Sequence, residues 1–238
     1  MQSPQVIYEE KGFLAVNKPA GLIVHGQSPS LVDWLLKKYP EVKTVGDDPA
    51  KRPGIIHRLD KDTSGVLLVC RTQATFDYFK RQFQIHQIKK KYLALVHGIP
   101  EQKNGEINKP IGLKLGTIRR TVHTKHAKMV KEAVTRYRIR QIYRRLPSIY
   151  SLLEVEPLTG RTHQIRVHLA SIGHPVVGDK LYTPKSIVKG QLSNVAEGRM
   201  FLHAESLEFT TSDGRRLKIA ADLPIELNEV LSLLEPAG

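Results

Sequence analysis

The chain has one cysteine, Cys70, among 238 residues. An internal disulfide is therefore excluded, and the place of Cys70 in the apolar run 66–70 makes it a buried packing residue suited to a reducing cytoplasm. No apolar run approaches the ~20 residues that span a bilayer, and Met1-Gln2-Ser3-Pro4-Gln5 has neither the basic nor the apolar part of a secretory leader. A glycine-rich string of the dinucleotide or nucleotide-phosphate kind is missing, so neither NAD nor ATP is expected. There is no cysteine cluster and no His-Glu-x-x-His string. His163 and His168 are five residues apart where a helical two-histidine site needs four, so no metal is expected there, even with His57, His174 and His203 as further ligands. Internal repeats and low-complexity tracts are also lacking.

Acidic residues are scarce in one part of the chain. The net charge is +14, but residues 103–145 hold 13 Lys or Arg against Glu106 and Glu132, a local charge of +11. Residues 80–91 add +5 with no acid, which leaves the remainder at −2. A near-neutral remainder beside a concentrated basic zone has the electrostatic footprint of a polyanion binder. No segment joins that charge to a long amphipathic apolar face, so nucleic acid is a better expected partner than a membrane surface. In 135–141 the alternation places Arg136, Arg138 and Arg140 on one side of a strand and Tyr137 and Ile139 on the other. Those three arginines are the candidate phosphate contacts.

A hydrophobic content of 40% with 25% charged residues is ordinary for a globular protein. The length fits one domain, 1–238, with a basic loop and strand region at about 103–145, and no separate N-terminal module is expected before the first strands. Short strands are expected at 6–10, 13–16, 22–24, 66–70, 91–97, 135–141, 151–156, 200–209 and 215–220. Helices are expected at 31–39, entered through Ser30 and Asp33, at 73–85 with Phe76, Phe79 and Phe83 inward, at about 162–172 with Thr162 as cap, and at 224–234 with Pro224 in the first position. Residues 99–133 read as irregular loops or an extended hairpin, with the path of 114–133 open. The order predicts a mixed α/β (α+β) fold with a largely antiparallel central sheet, flanking helices and a catalytic cleft.

The nine residues His57-Arg58-Leu59-Asp60-Lys61-Asp62-Thr63-Ser64-Gly65 lie between the β-like 54–56 and the apolar 66–70. Junctions between buried strands commonly carry chemistry. Taken singly, Asp60 or Asp62 could cap a turn and Arg58 could be a surface ion-pair partner. As a string, His-Arg-Leu-Asp-x-x-Thr-Ser-Gly resembles the signature of the RluA-type pseudouridine synthases. Further segments resemble the same family in order: Val16-Asn17-Lys18-Pro19-Ala20-Gly21, Lys90-Lys91-Tyr92-Leu93-Ala94-Leu95-Val96, Thr159-Gly160-Arg161-Thr162-His163-Gln164-Ile165-Arg166-Val167-His168-Leu169, Gly173-His174-Pro175-Val176-Val177-Gly178-Asp179 and Leu202-His203-Ala204.

That resemblance implies a cofactor-independent RNA isomerase that cuts the bond from ribose to uracil nitrogen, rotates the base and rejoins it through ring carbon five. Such an enzyme must flip its uridine into a pocket. Asp60 is then the essential carboxylate, as nucleophile or as base toward the sugar. Tyr92 stacks on uracil and shares in proton removal at carbon five, and Arg166, near a helix start, is the cation that keeps Asp60 ionised. Arg58 would fill the gap left by the base, and His57, Arg161 and His163 are further substrate-binding candidates. A cytoplasmic monomer acting on tRNA or rRNA, without an obligate protein partner, is the expectation; the alternative is an RNA-binding or chaperone protein on the same scaffold without turnover.

Overall fold

The computed structural model describes residues 2–188 and 199–237. In chain order the first half forms β1 (Gln5–Glu9), β2 (Phe13–Lys18), α1 (Leu31–Lys38), a 3-10 turn (Pro40–Thr44), β3 (Ser64–Cys70), α2 (Gln73–Gln84), β4 (Lys89–His97) and β5 (Asn104–Asn108). Next come β6 (Ile111–Lys114), β7 (Arg120–Thr121), a second 3-10 turn (Thr124–His126), β8 (Ala127–Lys131), β9 (Val134–Arg145), β10 (Ser148–Pro157) and α3 (Gln164–Ser171). The chain ends with α4 (Lys185–Val188), β11 (Leu202–Thr210), β12 (Arg216–Ala220), α5 (Ile225–Ser232) and β13 (Glu235–Ala237). The fold is mixed α/β with largely antiparallel sheet, as the sequence pattern predicts. It divides into two compact units, Met1–Lys90 with Ala204–Asp222 and Lys91–His203 with Leu223–Gly238.

In the first unit β1, β2 and β3 run antiparallel, and the β2–β3 register sets Phe13 opposite Cys70 and Lys18 opposite Gly65. β3 is buried along its whole length, which is why its apolar residues run without alternation. Phe13, Phe79 and Phe209 meet edge to face at centroid distances of 5.1–5.8 Å and anchor a core that also holds Val66, Leu68, Cys70 and Phe76. Each such ring contributes about 1.5–3 kcal/mol by leaving water. α1 opens with the expected capping box: Asp33 N–H donates to the Ser30 hydroxyl, and Ser30 N–H donates to the Asp33 carboxylate. Gly65, at φ +115°, sits where a Cβ would fall 2.2 Å from the carbonyl oxygen of Ala204, so only glycine fits.

In the second unit β4, β10 and β9 pair antiparallel, and β5 and β13 add to β9 at separate stretches. Tyr137, Ile139, Leu153, Val155, Ala94 and Tyr92 belong to one core cluster with Ile165 and Leu169 of α3. A separate three-stranded sheet, ordered β7-β6-β8, comes from residues 111–131.

Four local expectations are corrected. Residues 22–24 make a single bridge from Ile23 to Ser30 rather than a strand, because the Ile23 and Val24 carbonyls accept from the first N–H groups of α1, at Leu31 and Val32. Residues 99–133 contain β5 and the small sheet, whose short strands expose lysines on both sides of few buried anchors and so show no clear alternation. His163, in the left-handed region at φ 57°, caps α3 in place of Thr162, without a side-chain cap bond. Pro224 caps α5 from outside the helix and accepts from Leu227 and Asn228 N–H.

Candidate active site

Asp60 lies in the loop between Ile55, which bridges to Val69, and β3. Leu59 is buried there between exposed Arg58 and half-buried Asp60. A turn follows, with Thr63 N–H donating to the Asp60 carbonyl at 3.2 Å. The loop is held from below by Lys18, whose side chain is fully buried at the end of β2. Its ammonium donates to the carbonyls of Pro19 (2.8 Å), Leu22 (2.8 Å) and Lys61 (3.1 Å), and Gly21 N–H donates to the same Lys61 carbonyl at 2.9 Å. A buried ammonium tolerates desolvation only when its donors are engaged. Lys18 therefore ties residues 19–22 to the residue directly after Asp60.

His57 braces the other end of the loop. Its Nε2 accepts the Leu68 N–H at 2.8 Å and its ring stacks on Phe83 at 4.8 Å. Burial, with a smaller contribution from Lys90, pushes its pKa down to about 3, so the ring is neutral and its acceptor nitrogen is committed to the backbone of β3. Arg58 donates to His25 Nε2 at 3.3 Å in an exposed contact.

In the second unit Arg166 occupies the first turn of α3 and is buried. Its Nε and one Nη donate to the two oxygens of Asp179 at 2.7 and 2.9 Å, a bidentate pair. Asp179 also accepts the N–H groups of Leu181 (2.9 Å) and Tyr182 (3.2 Å), and the Arg166 guanidinium lies over the Tyr182 ring at 5.1 Å. The Tyr182 hydroxyl is 2.9 Å from His163 Nδ1 and accepts the Arg120 N–H at 2.9 Å. Gln164, at the start of α3, accepts from Arg161 N–H and the Thr159 hydroxyl and donates to the Val134 carbonyl and Thr135 hydroxyl. Arg161 Nε donates to the Glu132 carbonyl. Tyr92, half-buried, packs against the cluster that holds Ile165 and Leu169 of the same helix.

A family model described as RNA pseudouridylate synthase matches residues 12–171, a span that contains Lys18, Asp60, Tyr92 and Arg166. The chain belongs to the RNA pseudouridylate synthase family. An uncharacterised RNA pseudouridine synthase of Synechocystis is 34% identical over 234 residues, 96% of this chain and 68% of that protein. A ribosomal large subunit pseudouridine synthase D of Nitrosomonas europaea is 37% identical over 240 residues, 97% of this chain and 65% of that protein. Among solved structures, human RNA pseudouridylate synthase domain containing 1 superposes with a TM-score of 0.78 at 26% identity, covering 99% of this chain and 89% of that one. The enzyme is thus an isomerase acting on RNA, and no helix among its described residues is long and apolar enough to cross a membrane.

The structure qualifies the arginine stripe of the synthase. Arg136, Arg138 and Arg140 are exposed on β9, but Tyr137 and Ile139, between them, pack into the cluster with Tyr92 and α3. The stripe therefore faces away from the side of the sheet that carries Tyr92 and Arg166. Its charges are also engaged: Arg136 with Glu106 at 2.8 Å, and Arg138 and Arg140 with Glu154 at 3.4 and 2.5 Å. Lys91 joins Glu154 at 3.1 Å. Burial raises the pKa of Glu154, but hydrogen bonds from Arg140 and Lys91 outweigh it and bring the carboxyl down to about 2.

Two residues of the synthase escaped the sequence reading. Lys18 lies within the Val16–Gly21 motif, and its signal is a lysine ending an otherwise apolar strand at Asn17-Lys18-Pro19. Asp179 likewise closed the Gly173–Asp179 segment, but its pairing with Arg166 needed the three-dimensional path of 173–182.

Proposed function

We propose that the synthase isomerises uridine in structured RNA through Asp60, with Tyr92 and Arg166 serving the same reaction. The observation that supports this most is the family match over 12–171, whose span includes all three residues as well as Lys18, which fixes the backbone beside Asp60. The flipped uridine has its C1′–N1 bond broken and a C1′–C5 bond formed; the hydrogen of ring carbon five passes to solvent as a proton, and N1 takes up a proton in its place. Asp60 acts on the ribose as nucleophile or base. Tyr92 offers a flat ring for uracil and a hydroxyl for the proton leaving carbon five. Arg166, aligned by Asp179, supplies the positive charge that favours an ionised catalytic carboxylate.

Ribosomal RNA is the proposed substrate before transfer RNA, because several relatives at 34–37% identity are named ribosomal large subunit pseudouridine synthase D. The test is incubation with ribosomal and transfer RNA transcripts carrying tritium at uracil carbon five. Release from a ribosomal transcript at a mapped site is expected. Release from transfer RNA alone would reverse the choice of target.

A further inference from the structure

We propose that the β7-β6-β8 sheet, residues 111–131, is the surface on which the synthase docks the phosphate backbone of its RNA; this rests on the reading of the protein as an enzyme of structured RNA. The segment carries Lys114, Arg119, Arg120, Lys125, Lys128 and Lys131 and no Asp or Glu. All but Arg120 are exposed. None of the six has an ion-pair partner among the described residues, in contrast to Arg136, Arg138 and Arg140 of β9, which hold Glu106 and Glu154. A phosphate approaching β9 competes with carboxylates already in place, whereas one approaching this sheet meets cations whose only competitor is water.

The sheet is also fixed to the helix that carries Arg166. Ile111 is buried with Ala133 and Val167 of α3, and Val122 and Tyr182 pack against them. The Lys109 carbonyl, just before β6, lies 2.9 Å from Nε2 of the buried His168, which donates to it, and Lys109 Nζ donates to the Ser171 carbonyl at 3.3 Å. β6 and β8 approach so closely at Gly112 that a Cβ there would lie 2.7 Å from the Ala127 methyl. Tyr182 links docking to chemistry, since its hydroxyl accepts the Arg120 N–H while its ring lies under the Arg166 guanidinium. RNA held on this sheet is thus held in a fixed relation to α3. Base reading is not required of these residues, because lysine contacts to phosphate position a strand without reporting its sequence.

The experiment compares the parent protein, a Lys114→Gln/Arg119→Gln/Lys125→Gln/Lys128→Gln variant and an Arg136→Gln/Arg138→Gln/Arg140→Gln variant by RNA-binding titration across salt concentrations and by tritium release. Four lost phosphate contacts should lower the slope of log affinity against log salt by about 3, at roughly 0.7 per contact for single-stranded RNA. Affinity should fall on the order of 10–100-fold in the 111–131 variant, with the Michaelis constant rising by more than turnover falls. The β9 variant should keep most of the parent slope. An unchanged slope in the first variant, or a loss confined to the second, overturns the proposal. Single Lys125→Gln and Lys128→Gln variants, each expected to lower the slope by about 0.7, decide the matter if the quadruple variant does not fold. A parent that binds RNA but releases no tritium would defeat the isomerase reading while the salt slopes still decide the docking surface.

Discussion

Asp179→Asn removes one charge from a site where the bookkeeping is simple. Oδ1 of Asp179 accepts from Arg166 Nη, Leu181 N–H and Tyr182 N–H, whereas Oδ2, among the described residues, accepts from Arg166 Nε. The amide of asparagine keeps its oxygen where three donors converge, so its NH₂ turns toward Arg166 Nε and two donors face each other. Arg166 then remains a buried cation, its side chain 9% exposed, and has lost the charge of the Asp179 carboxylate. Breaking a buried pair in this way costs about 3–5 kcal/mol. At roughly 2–4 °C per kcal/mol for a chain of this size, the midpoint of thermal unfolding should fall by roughly 6–20 °C. The exposed pair Arg136–Glu106, with side chains 59% and 43% exposed, is the control: Glu106→Gln should cost below about 1 kcal/mol. Both variants and the parent would be unfolded in urea and by heat under identical conditions. Asp179→Asn within about 1 kcal/mol of the parent, or indistinguishable from Glu106→Gln, would refute the argument that this carboxylate holds Arg166.

The other outcomes follow from single contacts. His57 titrates near 6.5 when unfolded and near 3 when folded, so the unfolded state binds more protons between those values; its contribution is complete above pH 6.5 and is lost as pH falls, by up to about 1.4 kcal/mol per unit. Urea midpoints from pH 7 to 5 should therefore decline more steeply in the parent than in His57→Gln, and equal declines would show that the ring is not held neutral. Lys18→Met takes the ammonium from three backbone carbonyls and leaves the residue after Asp60 held by the Gly21 N–H without it, so turnover should fall on the order of 100-fold with RNA affinity within a few-fold; parent-like turnover would remove Lys18 from any positioning role. Tyr92→Phe should bind RNA as the parent does but lose turnover on the order of 10²–10⁴-fold, and unimpaired tritium release would leave its ring as the only contribution.

The regular elements were legible because their signals are local. Ser30 with Asp33 marks the start of α1, the phenylalanine spacing marks α2, and the uninterrupted 66–70 marks a strand covered on both faces. The Asp60 loop was legible as a string of residues. What could not be read are contacts made across long stretches of chain. The register that sets Lys18 opposite Gly65 spans 47 positions, and it converts an ordinary lysine into the brace of the loop. The carbonyls of Ile23 and Val24 look like strand acceptors until the start of α1 folds back to claim them. Charge counting found the basic zone between 103 and 145, but not which of its cations are already paired. That distinction depends on Glu154, one residue on β10 facing Lys91, Arg138 and Arg140 together. Phe83, read as core, packs at the edge of that core half-buried and is also the platform for His57.

The central claim is that Asp60 carries the isomerisation, and Asp60→Asn beside the parent tests it most directly. The side chain keeps its shape and loses its charge and basicity. With a ribosomal transcript labelled with tritium at uracil carbon five, the parent should release label and Asp60→Asn should release none above background, while a binding titration shows affinity for the same RNA within a few-fold of the parent. Release of tritium by Asp60→Asn at a rate near that of the parent would contradict the account.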